Sequence, residues 1–566
     1  MPSQNAIGID LGSSKCCVSV FQYGQAEIIP NEYGNRTTPS WIAFTEKCRF
    51  FGEDAKNMST TQPMNTVYGL KNLLEPQDSP IKNSPLRIQI SHKIQVEYLN
   101  QLHYFPPEQL IAMLLEKLKK IAEDFLGVRI RDVVITIPIY YTRAQCEIIK
   151  DAARICNLNL LRLYSSPVCA AICYGIKNPG NEDKNVLVFD LGASQLSVAI
   201  LTIEHGVYEV KAVEGRGDLG GDHFDNIIMD HFIKEFQKQH GLDCTSCPKA
   251  MNRLRLACEK AKRTLSTNLA SSIEIDSFFM GKDFHKTFSR KDFEELCCGL
   301  MERVLEPVEK SLSGAKMGRD EIDEVILVGG STRIPKIQSL LSQFFNGKTL
   351  NKSINPDEAI AHGAAIYGAI LSGDRSEGAS DMLLLDVLSY SIGFEAPNGT
   401  RISAVQKNET IPVKKYAQIH KEWKMIKVLE GNRLIGIVKI KETDGDSIHF
   451  DIDANEKLIV NRTEINEQSL SREEIEKMGN DLEFFNKADL KEKKRQETKN
   501  ELEAEVLRIK QAIKEKEIKF GSKSKQIIVS ECDKILNWID SNEDAEETEY
   551  REYKEILKKL VGSLSS

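Results

Sequence analysis

Two aspartates, Asp10 and Asp190, occupy the same place in two similar stretches of the chain. The stretches are AIGIDLGSSKCCVSVF (residues 6–21) and VFDLGASQLSVAI (188–200), and each reads as an apolar strand, a turn and a return strand. Small residues in such a turn let backbone N–H groups point at one place, where a phosphate can be held. Magnesium keeps several waters and shares phosphate oxygens, so a pair of opposed carboxylates suits it. The duplication therefore predicts a magnesium and phosphate site, although a single Asp-Leu-Gly is a common hairpin.

Two other segments have residues that could contact the rest of a nucleotide. The segment RLRLACEKAKRTLS (253–266) has helical spacing that places four polar side chains on one face. These are Glu259, Lys262, Arg263 and Ser266. Spacing alone does not decide between a ligand-binding edge and an ordinary solvated face. The segment VGGSTRIP (328–335) reads as a strand that ends in Gly329 and Gly330, where the backbone could approach a flat ring closely.

The elements that must position these residues alternate over residues 1 to about 378. Short apolar strands such as DVVITIP (132–138), NVLVFDLG (185–192) and EVILVGG (324–330) are interspersed with amphipathic helices. This alternation indicates mixed α/β layers. The two matched hairpins suggest a duplicated domain that faces itself across a cleft, which is the natural place for a ligand.

The composition changes after residue 371. The polar stretch SGDRSEGAS (372–380) leads into the apolar MLLLDV (382–387), and residues 388 to about 468 then alternate as strands of a small antiparallel β module. From 469 onward the pattern is helical, with a capping box at Ser471 and Glu474. We therefore predict a C-terminal helical segment.

Composition limits the function classes. The chain has 566 residues, a formal charge of -8, 41% apolar and 28% charged residues, which is ordinary for a multidomain globular protein. It has no basic stripe for nucleic acid or for anionic lipid, and no targeting or membrane-spanning stretch, so we predict neither partner and a cytosolic or nuclear protein. The thirteen cysteines are predicted to be reduced, and the Cys244/Cys247 pair lacks the second ligand pair that a zinc site needs.

Longer motifs extend over nearly the whole chain. They are GIDLG, GNRTTPS (34–40), LGGDHFDN (219–226), AKRTLS (261–266), VGGSTRIPKIQ (328–338), LNKSINPDEAIAHGAA (350–365), MLLLDV and FDIDAN (450–455). Together they resemble the seventy-kilodalton heat-shock chaperone family. The resemblance implies an α/β two-lobed actin-like ATPase domain over 1–378, a hydrophobic interdomain linker at 379–387, a shortened β-sandwich peptide-binding-like module at 388–468, and a helical lid with a polar tail at 469–566.

The resemblance also implies ligands and partners. It implies ATP or ADP with magnesium, unfolded client polypeptides, J-domain co-chaperones and nucleotide exchange factors. Asp10 and Asp190 would be magnesium ligands, and together with Lys71 they would be the catalytic residues. The implied adenosine contacts are Glu259, Lys262, Arg263, Ser266, Gly330, Ser331, Arg333 and Asp357. The implied phosphate contacts are Gly12, Ser13, Ser14, Lys71, Gly192, Gly220 and Gly221.

The chain departs from the family pattern at the second hairpin. The family has D-L-G-G-G-T-x-D where this chain has DLGASQLS, so its last acid is replaced by Ser197. The glutamate of the family's N-E-P-T motif is replaced by Ser166. Loss of a group that positions water or moves a proton commonly slows a reaction by about 10² to 10⁴. We therefore expect nucleotide binding with weak hydrolysis, although the replacements could also be harmless drift.

The sequence leaves three functions open. The first is an ATP-driven chaperone acting on unfolded chains. The second is a nucleotide-binding co-chaperone or scaffold with weak or absent hydrolysis and impaired peptide binding, since residues 415–436 read as lacking strand and loop material of the family's substrate module. The third is another member of the ATPase superfamily, such as a sugar kinase or an actin-like filament protein, against which the linker and the C-terminal half argue. The resemblance favours an ATP-binding chaperone.

Overall fold

A computed structural model describes residues 6–74, 86–88, 93–178, 183–374, 376, 382–441, 446–467, 469–515 and 522–565. The predicted boundaries at 378 and 468 lie outside these residues. Clustering of contacts divides the chain into two units, of which the first contains residues 1–44, 50–97 and 102–479 and the second contains 45–49, 98–101 and 480–566.

The first 371 residues alternate strands and helices, as predicted. The strands are β1 (Ile7–Asp10), β2 (Lys15–Gln22), β3 (Gln25–Ile28), β4 (Thr38–Pro39), β5 (Trp41–Phe44), β6 (Arg49–Phe51), β7 (Thr66–Tyr68), β8 (Arg87–Ile88), β9 (Ile94–Tyr98), β10 (Gln101–Phe105), β11 (Asp132–Ile137), β12 (Asn159–Ser165), β13 (Lys184–Leu191), β14 (Leu196–Glu204), β15 (Val207–Arg216), β16 (Ala270–Phe279), β17 (Lys282–Ser289) and β18 (Glu324–Val328). The helices are α1 (Gly52–Met58), α2 (Pro107–Leu126), α3 (Arg143–Ile155), α4 (Ser166–Lys177), α5 (Gly221–His240), α6 (Pro248–Leu265), α7 (Arg290–Leu296), α8 (Cys298–Glu302), α9 (Leu305–Ala315), α10 (Pro335–Phe344) and α11 (Ala359–Leu371). Short 3-10 helices lie at Pro63–Asn65, Leu70–Leu74, Arg319–Glu321 and Gly330–Arg333.

Two sheets repeat one arrangement of strands. In the first sheet the order is β12-β11-β1-β2-β3, with β1 parallel to β11 and antiparallel to β2. In the second the order is β18-β13-β14-β15, followed by two strands of the C-terminal half, β19 (Leu383–Val387) and β22 (Thr410–Ile411). Strand β13 is parallel to β18 and antiparallel to β14. Asp10 is the last residue of β1, and Asp190 is the last but one of β13. The hairpin β1–β2 thus corresponds to β13–β14, and the predicted duplication is present in the fold.

The central strands of the two sheets, β1, β11, β13, β14 and β18, are nearly continuous apolar runs, and they are buried on both faces. In β13, for example, the six residues from Val186 to Leu191 are all buried. Helix α11 packs on β1 and β2 with small residues, and a side chain at Gly8 would lie 2.2 Å from the backbone nitrogen of Ala365. Close packing of this kind fixes the first hairpin relative to the helix behind it.

The C-terminal half begins with a strand that pairs both with a strand of the first half and with a strand of the second half. The remaining strands are β19 (Leu383–Val387), β20 (Ile392–Glu395), β21 (Arg401–Val405), β22 (Thr410–Ile411), β23 (Val413–Gln418), β24 (Met425–Glu430), β25 (Arg433–Lys439), β26 (Ser447–Ile452), β27 (Leu458–Val460) and β28 (Thr463–Ile465). Strand β19 contains most of the apolar MLLLDV, and it pairs in parallel with β15 and antiparallel with β22. Residues 383–387 of the predicted linker therefore form a strand of the second sheet.

The β module consists of two four-stranded sheets, with the orders β21-β20-β24-β25 and β23-β26-β27-β28. Phe394 and Phe450 stack in the core between them, with ring centroids 6.1 Å apart. The segment 415–436, which reads as lacking strand and loop material of the family's substrate module, contains the end of β23, all of β24 and the beginning of β25. The shortening relative to the family remains a prediction.

The C-terminal segment is helical, as predicted, with α12 (Arg472–Lys514), α13 (Ser522–Ser541) and α14 (Glu547–Ser565). The capping box forms, since Ser471 and Glu474 exchange both hydrogen bonds. In the second unit, these helices pack around buried residues such as Val506, Ile535 and Tyr550. None of the helices that the structure describes is long and apolar enough to cross a bilayer.

Candidate functional site

A large cavity lies between the two matched hairpins. It measures about 1200 Å³. Of the eighteen residues predicted for the nucleotide site, seventeen line it: Asp10, Gly12, Ser13, Ser14, Lys71, Asp190, Gly192, Gly221, Glu259, Lys262, Arg263, Ser266, Gly329, Gly330, Ser331, Arg333 and Asp357. The exception is Gly220, which caps the N-terminus of α5 behind the second hairpin. The fold thus brings four distant segments to one place.

Glycines give the two hairpins their shape. A Cβ on Gly12 would lie 2.0 Å from the carbonyl oxygen of Lys15, so the turn after β1 closes only with glycine. A Cβ on Gly220 would lie 2.4 Å from the carbonyl oxygen of Ala193. Gly329 has φ of +82°, and a Cβ there would lie 2.3 Å from the carbonyl oxygen of Leu191. The backbone at each position passes too close to its neighbour for any side chain.

The two aspartates share a buried, electrostatically coupled environment. Burial raises the pKa of Asp10, against the opposing effects of Lys71 and of the Thr136 hydroxyl, which donates to Asp10 Oδ1 at 2.8 Å. Burial and the negative charge of Asp10 raise the pKa of Asp190 to about 7. Two carboxylates that each resist ionisation are stabilised by a cation between them. The donor set therefore fits a hard divalent cation with phosphate oxygens, and Lys71 adds a fixed positive charge.

The serines that replace the family's acids face backbone. Ser166, at the start of α4, donates its hydroxyl hydrogen to the carbonyl oxygen of Ile137 at 3.2 Å. Ser197 is fully buried on β14, directly opposite Asp190 in the antiparallel pair, and its Oγ accepts from the N–H of Ile139 at 3.5 Å. An aspartate at 197 would have stood beside Asp190. At these two positions the structure therefore has hydroxyls bonded to the backbone and no carboxylate that could hold a metal ion or a water.

Helix α6 forms one wall of the cavity, and two side chains of its polar face are bonded to other parts of the protein. Lys262 is buried and donates to Asp225 Oδ2 at 2.6 Å and to the carbonyl oxygen of Gly221 at 2.8 Å. Glu259 forms an ion pair with Lys56 of α1 at 2.9 Å. Lys262 thus ties α6 to α5, and Glu259 joins opposite sides of the cavity.

The segment after β18 forms another wall of the cavity. Arg333 donates to Asp357 Oδ2 at 2.6 Å, which joins the 3-10 turn to the segment before α11. Ser331 donates to the carbonyl oxygen of Gly192 at 2.8 Å, so this wall also supports the second hairpin. Gly329 lies close to the carbonyl oxygen of Leu191, beside Asp190, and the approach of the double glycine to a flat ring remains a prediction.

Three residues of this region escaped the sequence reasoning. Asp225 lies in the quoted LGGDHFDN, four residues after Gly221 on α5, so its helical position could have been noted. Lys56 and Lys15 line the cavity from the first half of the chain, and no spacing in the sequence connects them with α6. Burial and nearby positive charge, Arg263 foremost, lower the pKa of Lys15.

The linker strand reaches the ATPase-like half through a buried cluster. Arg162 on β12 donates to the hydroxyl of Tyr367 at 2.8 Å and to the carbonyl oxygen of Ala454 at 2.5 Å. Its guanidinium lies 4.0 Å from Asp386 Oδ2. Burial, with Glu456 nearby, raises the pKa of Asp386 to about 6. One arginine therefore contacts the helix behind the first hairpin, the linker and the β module.

Comparison with known proteins shows the family of the chain. The family model described as Hsp70 protein matches residues 6–434. A heat shock 70 kDa protein of Neurospora crassa is 40% identical over 603 aligned residues, which cover 99% of this chain and 93% of the relative. Heat shock cognate 70 kDa protein 3 of Dictyostelium discoideum is 39% identical over 99% of this chain and 96% of its own. A heat shock 70 kDa protein of Emericella nidulans is 39% identical over 99% and 93%.

These relatives and the nucleotide-sized cavity define the class as nucleotide-binding heat-shock chaperones. The chain belongs to the Hsp70 family. The resemblance noted in the sequence is thereby confirmed, as is the expectation of an Hsp70-type chaperone.

Proposed function

We propose that this protein is a chaperone that binds ATP or ADP with magnesium in the cavity between the hairpins, responds to it through the linker strand, and hydrolyses ATP slowly. The eighteen predicted residues would form the nucleotide site of a two-lobed, actin-like domain. Asp10 and Asp190 would hold the magnesium ion, which would neutralise charge on the phosphates. Unfolded polypeptides would be the clients, and J-domain proteins and exchange factors the regulatory partners.

One observation carries the proposal of slow hydrolysis. Ser166 and Ser197 stand where the family pattern has acids, and both hydroxyls are bonded to the backbone of residues 137–139. Phosphate binding rests on backbone amides and on Lys71, whereas hydrolysis also needs a water held in line and a squarely held cation. The chain retains the first set of groups and has lost part of the second. Binding should therefore be strong compared with turnover.

Binding is tested first, in the full-length protein. Magnesium ATP should raise its melting temperature, because a ligand that binds only the folded state stabilises it by mass action. Lys71→Ala provides a matched loss of phosphate affinity. Absence of any shift at millimolar ATP would contradict the proposed nucleotide site.

Hydrolysis is tested by restoring the family residues. Ser166→Glu and Ser197→Asp, with Ala193→Gly, Ser194→Gly and Gln195→Thr to reopen the turn, should speed single-turnover phosphate release by about ten-fold or more. ATP affinity should change little, because the backbone cradle is the same. Brisk hydrolysis by the unaltered protein, with no gain from the restored residues, would show that another group positions the water.

A further inference from the structure

A pair of serine hydroxyls joins the two hairpins directly. The Oγ atoms of Ser13 and Ser194 lie 2.6 Å apart, and the two residues are 9% and 5% exposed. Ser13 belongs to the turn between β1 and β2, and Ser194 to the turn between β13 and β14. The hydrogen bond therefore connects the first sheet with the second, 181 residues apart in the chain.

Each hairpin is braced on its own side of this bond. Ser40 donates its hydroxyl to the carbonyl oxygen of Gly12 at 2.7 Å, which holds the first turn. The N–H of Gly192 donates to the carbonyl oxygen of Gln195 at 2.9 Å, and Ser331 donates to the carbonyl oxygen of Gly192. These hydrogen bonds hold each turn to its own sheet, so neither turn moves with the other when the sheets separate. Separation of the hairpins must therefore break the bond between the hydroxyls.

The bond depends on a residue at which this chain departs from its family pattern. Ser194 stands at the third glycine of D-L-G-G-G-T, and glycine has no hydroxyl to offer. We propose that the Ser13–Ser194 hydrogen bond is a latch that slows both uptake and release of nucleotide by holding the hairpins together. Ser194 is a positioning residue in this proposal, which rests on the proposed nucleotide binding.

The latch has a kinetic signature. It acts between protein groups, so it stabilises the closed cavity to the same extent with nucleotide bound and without it. Its loss should raise the association and dissociation rates together and leave their ratio, the Kd, nearly constant. A buried neutral hydrogen bond typically changes an equilibrium by about 2- to 12-fold, and both rates should rise within that range.

The test uses stopped-flow binding of a fluorescent ATP analogue, with magnesium, to the full-length chain. Ser194→Ala should raise both rates by about 3-fold or more and move the Kd by less than about 2-fold. Ser194→Thr, which keeps a hydroxyl, should restore slow exchange. Ser311→Ala is the matched control, because it removes a buried serine hydroxyl that is bonded within α9 and does not line the cavity.

A double-mutant cycle shows whether the effect of Ser194→Ala comes from its hydrogen bond with Ser13 or from a local disturbance of the turn. In a Ser13→Ala protein, whose partner hydroxyl is missing, Ser194→Ala should change neither rate further. Additive effects of the two substitutions, unchanged rates in Ser194→Ala, or a weakened Kd with unchanged association would each overturn the latch. In these cases nucleotide still binds, and the proposed function stands. Failure of the unaltered protein to bind the analogue would instead overturn the proposed function itself.

Discussion

Replacement of Lys262 by methionine tests how the wall of the cavity is held. Lys262 donates to Asp225 and to the carbonyl oxygen of Gly221, and the side chains of the ion pair are 10% and 5% exposed. Methionine has a similar length and no charge. The substitution therefore leaves the Asp225 carboxyl buried without its cation, and the other oxygen, Oδ1, already has no hydrogen-bond partner.

The expected cost follows from this burial. Removing one partner of a buried ion pair typically costs about 3–5 kcal/mol, because the remaining charge is uncompensated. In a domain of several hundred residues, each kcal/mol lowers the melting temperature by about 2 °C. We expect Lys262→Met to lower the melting transition of the nucleotide domain by about 6–10 °C.

The loss of stability should depend on pH with a definite sign. Burial already raises the pKa of Asp225 above its ordinary value, and Lys262 opposes that rise. Without the lysine, the pKa rises further, so the folded variant holds a proton that the unfolded chain releases. Stability is then lost as the pH rises from the unfolded pKa, about 4, through the folded pKa. The difference between variant and wild type should be smaller at pH 5 than at pH 8.

The assay is thermal unfolding of the variant and of a compensated partner. Lys262→Met with Asp225→Asn removes both charges, and it should recover most of the lost melting temperature. A nucleotide-induced shift that remains weak in this stable double variant would assign Lys262 a contact with the nucleotide as well. The reasoning is refuted if the single variant melts within 1 °C of wild type, or if the double variant melts no higher than the single one.

Three further predictions concern other parts of the first unit. Lys56→Met removes the ion pair with Glu259, which is worth about 1 kcal/mol or less at this partial exposure, so nucleotide should leave up to about 5-fold faster in stopped flow. Burial lowers the pKa of His362 from 6.5 to about 4. As the pH falls from 6.5 to 4, the unfolded chain binds the proton first, so the free energy of unfolding decreases by about 1.4 kcal/mol per pH unit. His362→Asn should flatten that part of the melting profile. Leu385→Asp should loosen the linker strand from β15, and limited proteolysis should then cut residues 382–387 faster, whereas unchanged cutting would contradict its docking.

The strands of the two sheets could be predicted because their signal is local. Segments such as DVVITIP and EVILVGG are buried on both faces, so each is a continuous apolar run that needs no partner to be recognised. The linker shows the limit of this reasoning. Its apolar character was visible, but its parallel pairing with β15 joins residues 383–385 to 207–209, and no local pattern encodes that register.

In the candidate site, too, local features could be predicted and long-range contacts could not. Gly12, Asp10 and Asp190 could be placed because a hairpin brings its own residues together. The partners of Lys262 and Glu259 could not, since Asp225 and Lys56 approach them only through the packing of α5 and α1. The hydroxyl pair of Ser13 and Ser194 could not be predicted either, although each serine was noted in the sequence.

In the proposed site, phosphate binding depends on backbone atoms, and hydrolysis depends on side chains. Nucleotide binding can therefore be retained while hydrolysis is slowed. The shape of the hairpins depends on backbone contacts at Gly12, Gly220 and Gly329, where a side chain would overlap a carbonyl oxygen. Those contacts are independent of the side chains at 166 and 197. On the proposed function, exchange of two carboxylates for serines would leave the phosphate-binding backbone in place and remove groups that act on water and metal. A protein of this kind would keep the energy of nucleotide binding available to the linker strand, and nucleotide release as much as hydrolysis would set the lifetime of the bound state.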